Sequence, residues 1–431
     1  TRPWRARRGL TTPSSDPRPV HTGTTQARLR DLPSRVVIYL LLAGCLFGEV
    51  GYLGVWRKLT GALAGLPTAT PTPAALAQAR HRVGAAPLRW LFDLLRGPAA
   101  GRQRGTRWRG LLVCAVDGTT LTVPDSPAVL ARFTKQEAGH HGGTGYPQLR
   151  LLALVACGTR TLIDAVFGPT TIGETSYAPA LLRSLRPGMI VLADRNFGAK
   201  DLIADIAATG ADVLVRLKNG RRMPVLARYP DGSYLSMLGP LRVRVVEAEI
   251  TIATTAGRHT GQYRLATTLH DPHRYPAAEL IRLYHERWEI ETAYLELKSS
   301  ILGGRILRAR TPTGVEQEVY ALLITYQLLR TAIADATHAD TDPDRASFTT
   351  ALHTARDLLI QATGVIADTV IDLVGTIGRH VLDHLMPDRR LRVSPRIVKR
   401  AISKYQARGP NIDRASYKAT INIDILTGEP P

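Results

Sequence analysis

The sequence predicts an α/β fold, a central domain of alternating strands and helices that carries a β-rich insertion and is flanked by helical segments. Two observations predict it. From residue 111 the chain runs through apolar strand-like stretches, "LLVCAVDGTTLTVPD" and "PQLRLLALVACGTRTLIDAVFG", into the strand–helix–strand pattern of "MIVLADRNFGAKDLIADIAATGADVLVRLK". On either side the apolar period is helical, over about 28–96 and again from "PAAELIRLYHERW" to about 385.

Residues 1–27, rich in Pro, Ser, Thr and Arg, read as a disordered basic arm. Helical patterns broken by "LPTATPTP" and by Gly84–Pro87 then define a small basic domain over 28–110, expected to bind DNA. Within it, "VVIYLLLAGCLFGEVGYLGVW" (36–56) reaches Glu49 after about 13 apolar residues, short for a bilayer crossing, and predicts a buried helix rather than a membrane span. The central domain is placed at 111–338. Its second apolar run reads as a hairpin turning at Gly158–Thr159, "YAPALLRSLRPG" as a helix stopped by glycine, and the alternation over about 219–272 as the β insertion. Residues 339–431 read as a helical region ending in the basic tail "RRLRVSPRIVKRAISKYQARG".

Charge narrows the partner. The net charge is +20. Residues 1–110 hold 18 Lys+Arg against 4 Asp+Glu, residues 386–431 hold 10 against 4, and the middle is balanced at 28 against 28. Excess positive charge confined to the ends favours a polyanion gripped by flanking segments, with nucleic acid ahead of an acidic membrane surface. The three cysteines lie far apart in apolar contexts, which suggests reduced core thiols in a cytoplasmic, nucleoid-associated protein rather than disulfides or a zinc site. His140-His141, in "GHHGGTGYPQ", reads as a glycine-rich loop rather than a metal pair.

The residues that carry chemistry are carboxylates. Asp117 follows "LLVCAV" and Asp194 follows "MIVLA", each where a buried strand is expected to emerge at the rim of a sheet. A third comes from "LYHERWEIETAYLELKSS" (283–300), which reads as one helix with glutamates at 286, 289, 291 and 296. On a helical wheel Tyr284, Arg287, Glu291 and Lys298 share an arc of about 60°. Glu286, Glu289 and Glu296 fall on the far side, where Gln substitutions are expected to spare activity. The plainer alternative is that Arg287 and Glu291 form an ordinary i,i+4 pair. Three converging carboxylates repel one another unless a cation neutralises them, and hard oxygen donors suit two Mg²⁺ or Mn²⁺ ions, which serve phosphodiester chemistry.

"AVDGT" (115–119), "LADRNFG" (192–198) and the spaced Tyr284, Arg287, Glu291 and Lys298 resemble the Asp-Asp-Glu transposases of the fourth bacterial insertion-sequence family, marked by a Tyr-Arg-Glu-Lys signature. "LPSRVVIYLLLAGCLFGEVGYLGVWRKL" is similar to that family's N-terminal domain, and 311–330 and 394–405 to its C-terminal segments. The resemblance implies a ribonuclease H-like catalytic core interrupted by a β insertion, with Asp117, Asp194 and Glu291 as catalytic metal ligands. It implies that Tyr284, Arg287 and Lys298, with Arg195 and Trp288 beside them, contact DNA. It implies a homodimer on double-stranded DNA bearing terminal inverted repeats, which it cleaves and joins to target DNA. Where relatives stack a flipped base on a Trp of the insertion, this chain has between Asp194 and Glu291 only Trp288, with Tyr229, Tyr234 and Tyr263 as substitutes. The alternatives are a catalytically silent, co-opted DNA-binding protein and a nuclease that cuts without joining.

Overall fold

The computed structural model describes residues 31–99, 106–137, 143–218, 220–255, 257–337, 341–361, 372–387, 392–393 and 417–426. The basic arm, His140-His141 and the segment 394–405 lie outside them.

The apolar run that could be mistaken for a span splits into α1 (Ser34–Leu46) and α2 (Tyr52–Thr60). Helices α3 (Pro73–Val83), started by Thr72 accepting from the Ala75 amide, and α4 (Ala86–Leu95) complete the N-terminal group. Among the described residues no helix is long and apolar enough to cross a membrane.

The central sheet is built on β1 (Leu111–Thr122). On one side β2 (Gln148–Ala156) and then β3 (Leu162–Pro169) pair antiparallel. On the other β4 (Met189–Ala193) pairs parallel, crosses through α5 (Lys200–Ala208) and returns as parallel β5 (Asp212–Arg216). The order β3-β2-β1-β4-β5, with three antiparallel strands followed by two parallel ones, is the ribonuclease H-like arrangement. Strand alternation gives β1 two buried faces. Val113, Ala115 and Leu121 join the main core, while Leu112, Cys114 and Val116 join a second core with Leu202, Ile203 and Ile206 of α5.

The insertion does not stand apart. Its strands β6 (Tyr234–Leu238), β7 (Leu241–Thr254) and β8 (Gly257–Thr267) extend the same sheet, because β8 pairs with β5 through Leu265↔Arg216. The chain then forms α6 (Ala277–His285), α7 (Trp288–Leu295), α8 (Pro312–Ala336), α9 (Phe348–Ile360) and α10 (Leu373–Asp383). A last strand, β9 (Tyr417–Ile425), departs from the expected helical C-terminal region and pairs antiparallel with β7. Its cause is visible in "INIDI", where Ile421, Ile423 and Ile425 alternate with polar residues at period two.

α8 ties the N-terminal helices to the sheet. The Gln317 side-chain amide donates to the Arg80 and Gly84 carbonyls that end α3 (both 2.8 Å), and Gln327 donates to Leu95 and Gly97 after α4 (3.1 and 3.0 Å). Arg308, just before α8, donates to Gly44 and Phe47 at the end of α1 (2.8 and 2.9 Å). Helix ends leave carbonyls unsatisfied, and here α8 and its approach supply the donors. Buried residues of α1, α3, α4, β1, α7 and α8 belong to a single hydrophobic cluster.

Candidate active site

The site forms where β4 leaves the sheet. β4 ends opposite Val116, so Asp117 is the first residue of β1 without a partner on that side, although β1 itself continues to Thr122 against β2. Asp117 therefore lies within a strand rather than at its end, held by the Asp117↔Ala153 register. Asp194 follows β4 and starts a short 3₁₀ turn, its carboxylate accepting from the Asn196 amide at 2.7 Å. Gly118, next to Asp117, lets the Glu174 side chain pack against the strand; a Cβ there would meet its carboxyl carbon at 2.7 Å and push it aside.

The expected single helix is three pieces. Between α6 and α7 the bonds tighten, with the Glu289 amide donating to Glu286 at 3.0 Å and the Ile290 amide to Arg287 at 3.4 Å. After Leu295 the helix widens to a π-helical turn over Glu296–Ile301. The stripe nevertheless meets the strand ends. Tyr284 donates from its hydroxyl to the Ala193 carbonyl (3.2 Å). Arg287 donates from Nη1 to Asp117 Oδ2 (3.2 Å) and from Nη2 to Glu291 Oε1 (3.3 Å). Lys298 Nζ reaches Thr119 Oγ1 at 3.1 Å. Tyr294 was missed in the sequence. Its hydroxyl donates to the Asp117 carbonyl (2.6 Å) and accepts from the Ala153 amide (3.1 Å), so it bridges β1 and β2 beside the site. Three residues after Glu291, it sits next to the polar stripe on the same wheel, which is the signal that finds it.

Asp117 is perturbed chiefly by burial. Burial, reinforced by the charges of Asp194 and Glu291, pushes its carboxyl up to about 6, although Arg287 and the Gly118 amide pull it down. Burial pushes the Tyr284 phenol up to about 12. At Arg287 burial opposes the charge, but Tyr284, Asp117, Glu291 and Asp194 outweigh it and raise its pKa. Arg287 Nε is buried without a hydrogen-bond partner. Among the described residues no three His, Cys, Asp or Glu side chains are gathered tightly enough to hold a metal ion. Between Asp117 and Glu291 stands the Arg287 guanidinium. In chemistry the donors do fit a hard divalent cation: oxygen ligands only, in a pocket of surplus negative charge.

Arg195 and Trp288 are exposed, and the Arg287 guanidinium lies 5.3 Å from the Trp288 ring. Of the insertion tyrosines, Tyr234 is buried and bonded to Glu247, and Tyr229 faces Arg244. Tyr263 lies under Arg216 (3.9 Å), and both act on the charge of Tyr284.

The far-side glutamates need correction. Glu286 is exposed as expected, but Glu289 and Glu296 are buried. Arg160, a non-glycine residue at φ 57° in the β2–β3 turn, donates to Glu289 at 2.5 Å, lies 3.6 Å from Glu296 and pairs with Asp344. Arg330 of α8 holds Glu296 from two nitrogens, one at 2.9 Å, and the Tyr326 hydroxyl lies 3.2 Å from the same carboxylate. A wheel assigns faces but not what covers them; the β2–β3 turn and α8 do that from far away in sequence.

Residues 108–328 match the model of the transposase DDE domain, and residues 20–93 match that of the insertion element 4 transposase N-terminal domain. The chain belongs to the DDE-domain transposases. The matched span holds both aspartates, Glu291 and the whole polar stripe. The transposase InsG of insertion sequence element IS4 from Escherichia coli (strain K12) is 26% identical over 399 residues, covering 89% of each chain. A piggyBac transposase synaptic complex with hairpin DNA is similar at a TM-score of 0.40 and 10% identity, over 86% of this chain and 82% of that one. An insertion-sequence transposase of this family, with its N-terminal domain, is what the motifs had implied.

Proposed function

We propose that this transposase cleaves DNA at the terminal inverted repeats of its element and joins the freed ends to target DNA, acting as a dimer. The observation that carries the reading is that Asp117 and Glu291 both accept from the Arg287 guanidinium at the rim where β4 ends, with Asp194 near enough to act on the charges of Asp117 and Arg287. In this reading those three carboxylates hold two Mg²⁺ or Mn²⁺ ions, which supply an activated water or 3′-hydroxyl and stabilise the leaving oxygen. The chain's own part is positioning. Tyr284 pins Ala193, and so Asp194, to the catalytic helix, and Tyr294 fixes the height of Asp117.

Arg287 has a second use. Its unpartnered Nε and its place among carboxylates make it a stand-in cation that turns to a DNA phosphate when metal and DNA arrive, a charge-assisted contact shared with Lys298. Arg195 and Trp288 extend that surface outward. The test is a cleavage and joining assay on DNA bearing the element's ends, with Mg²⁺ or Mn²⁺. Asp194→Asn is expected to stop both steps while end binding persists. Undiminished cleavage by Asp194→Asn would overturn the reading, and cleavage by the wild type without joining would make the chain a nuclease.

A further inference from the structure

The buried charges behind α7 belong to no step described so far. Glu289 and Glu296 sit seven residues apart on the catalytic helix, one on each side of Glu291, and point away from Asp117. Each is met by an arginine from a different element: Arg160 comes from the β2–β3 turn and Arg330 from α8. Arg160 is itself fixed, because the Tyr326 hydroxyl lies 3.0 Å from its carbonyl and Asp344 takes its far nitrogen. Four buried charged side chains on a helix back are a costly way to fill space, since apolar groups of similar volume pack there as well or better. What such a set provides is direction. Hydrogen-bonded ion pairs fix rotation and axial position in a way that apolar packing does not.

The helix needs that. It is broken on both sides of Glu291, by the tightened turn at Glu286–Arg287 and by the π-helical turn that begins at Glu296. Irregular turns of this kind occur at functional sites, and neither end of α7 is held by a continuous α-helical ladder. We propose that Arg160, Glu289, Glu296 and Arg330 are positioning residues: they set the rotation of α7 and the start of the π turn, so that Arg287 bridges Glu291 and Asp117 and Lys298 meets Thr119. The sequence alone had these glutamates as dispensable, so the two views predict opposite results.

The proposal rests on the catalytic reading of Glu291, and two readouts keep their failures distinct. The first is steady-state cleavage of end DNA by Glu296→Gln. The rate constant kcat is expected to fall on the order of 10²-fold, as for a displaced catalytic group, with KM changed by no more than about twofold. The second is amide hydrogen exchange of the metal-free full chain, where exchange should quicken over 288–301 and not in β1 or β4. Should Glu296→Gln fold poorly, the paired Glu296→Met/Arg330→Met variant keeps the packing, removes both charges, and carries the same expectations. Unchanged kcat in a folded variant, a KM that rises in step, or exchange that quickens equally in the sheet would overturn the proposal. A wild-type chain that does not cleave would refute the catalytic reading, and the exchange pattern alone would then decide whether the network orders the helix.

Discussion

The two faces of α7 carry the same residue types to opposite ends. On the front, Glu291 is paired with Arg287 at 3.3 Å and its side chain is still 45% exposed. On the back, the Glu296 side chain is 10% exposed and its partner Arg330 only 1%. Front charges are held loosely and are left unbalanced around Asp117; back charges are enclosed and matched. A pair that must accept another cation or a phosphate has to be cheap to open. A pair that holds geometry has to be expensive to open.

The largest way to break this comparison is to remove Glu291. Glu291→Gln keeps the shape of the stripe and takes away the charge of the proposed metal ligand. Cleavage is expected to fall on the order of 10³-fold or more, given the several kcal/mol a metal contributes to phosphoryl transfer. End binding in a gel shift should stay near wild type, and Glu286→Gln, exposed on the same helix, should cut normally. Normal cutting by Glu291→Gln would move the chemistry off the front face.

Stability sharpens the contrast from the other side. Glu296→Ala leaves Arg330 buried without its charge partner and is expected to destabilise the chain by about 3–5 kcal/mol in urea denaturation. Glu291→Ala should stay within about 1 kcal/mol of wild type, as exposed pairs do. These two values are what the sequence could not separate. Both glutamates lie in the same eleven-residue stretch, 286–296, and wheel angles differ between them only by which side of the helix they take. The front stripe was legible because Tyr284, Arg287, Glu291 and Lys298 are close in sequence and keep an approximate helical period across the breaks at both ends of α7. The strands around Asp117 and Asp194 were legible from apolar runs, but where each strand stops was not. β1 outlasts Asp117 because β2 still pairs with it after β4 has left. The back-face partners are 129 and 34 residues away from their glutamates, beyond any periodic signal. β9 was overlooked because it is one short alternating run at the end of a basic tail, and its pairing strand β7 lies far upstream.

Asp117 offers a pH test of the front face alone. Its folded pKa, about 6, stands above the ordinary value of 3.8. A raised carboxyl binds its proton more tightly in the folded state. Its stabilising contribution is thus complete below about 4 and is lost as pH rises through about 6. In metal-free buffer, wild type should lose on the order of 1–3 kcal/mol over that window relative to Asp117→Asn, which has no proton to lose. Mn²⁺ should shrink the difference, because a bound cation favours the ionised form. The cleavage rate should run the other way and rise through the same window as the ligand ionises. A flat difference between the two proteins from pH 4 to 7 would mean that Arg287 already neutralises Asp117 in full.

The smallest effect decides how Arg287 is held. A double-mutant cycle on Arg287→Ala and Glu291→Ala measures the coupling of the front pair without metal or DNA. At 3.3 Å, with an exposed glutamate, that coupling is expected to be about 0.2–1 kcal/mol and to weaken further with salt. The matching cycle on Glu296→Ala and Arg330→Ala should give several times as much, nearly insensitive to salt, because water and ions do not reach the pair. The cycles test the division of labour between the faces more directly than any activity does, since both pairs are Arg–Glu and differ mainly in their exposure to water. If the front pair coupled as strongly as the back, Arg287 would be a structural anchor. It would then not be free to leave Glu291 for a phosphate, and the carboxylates would have to take up metal with the guanidinium still between them.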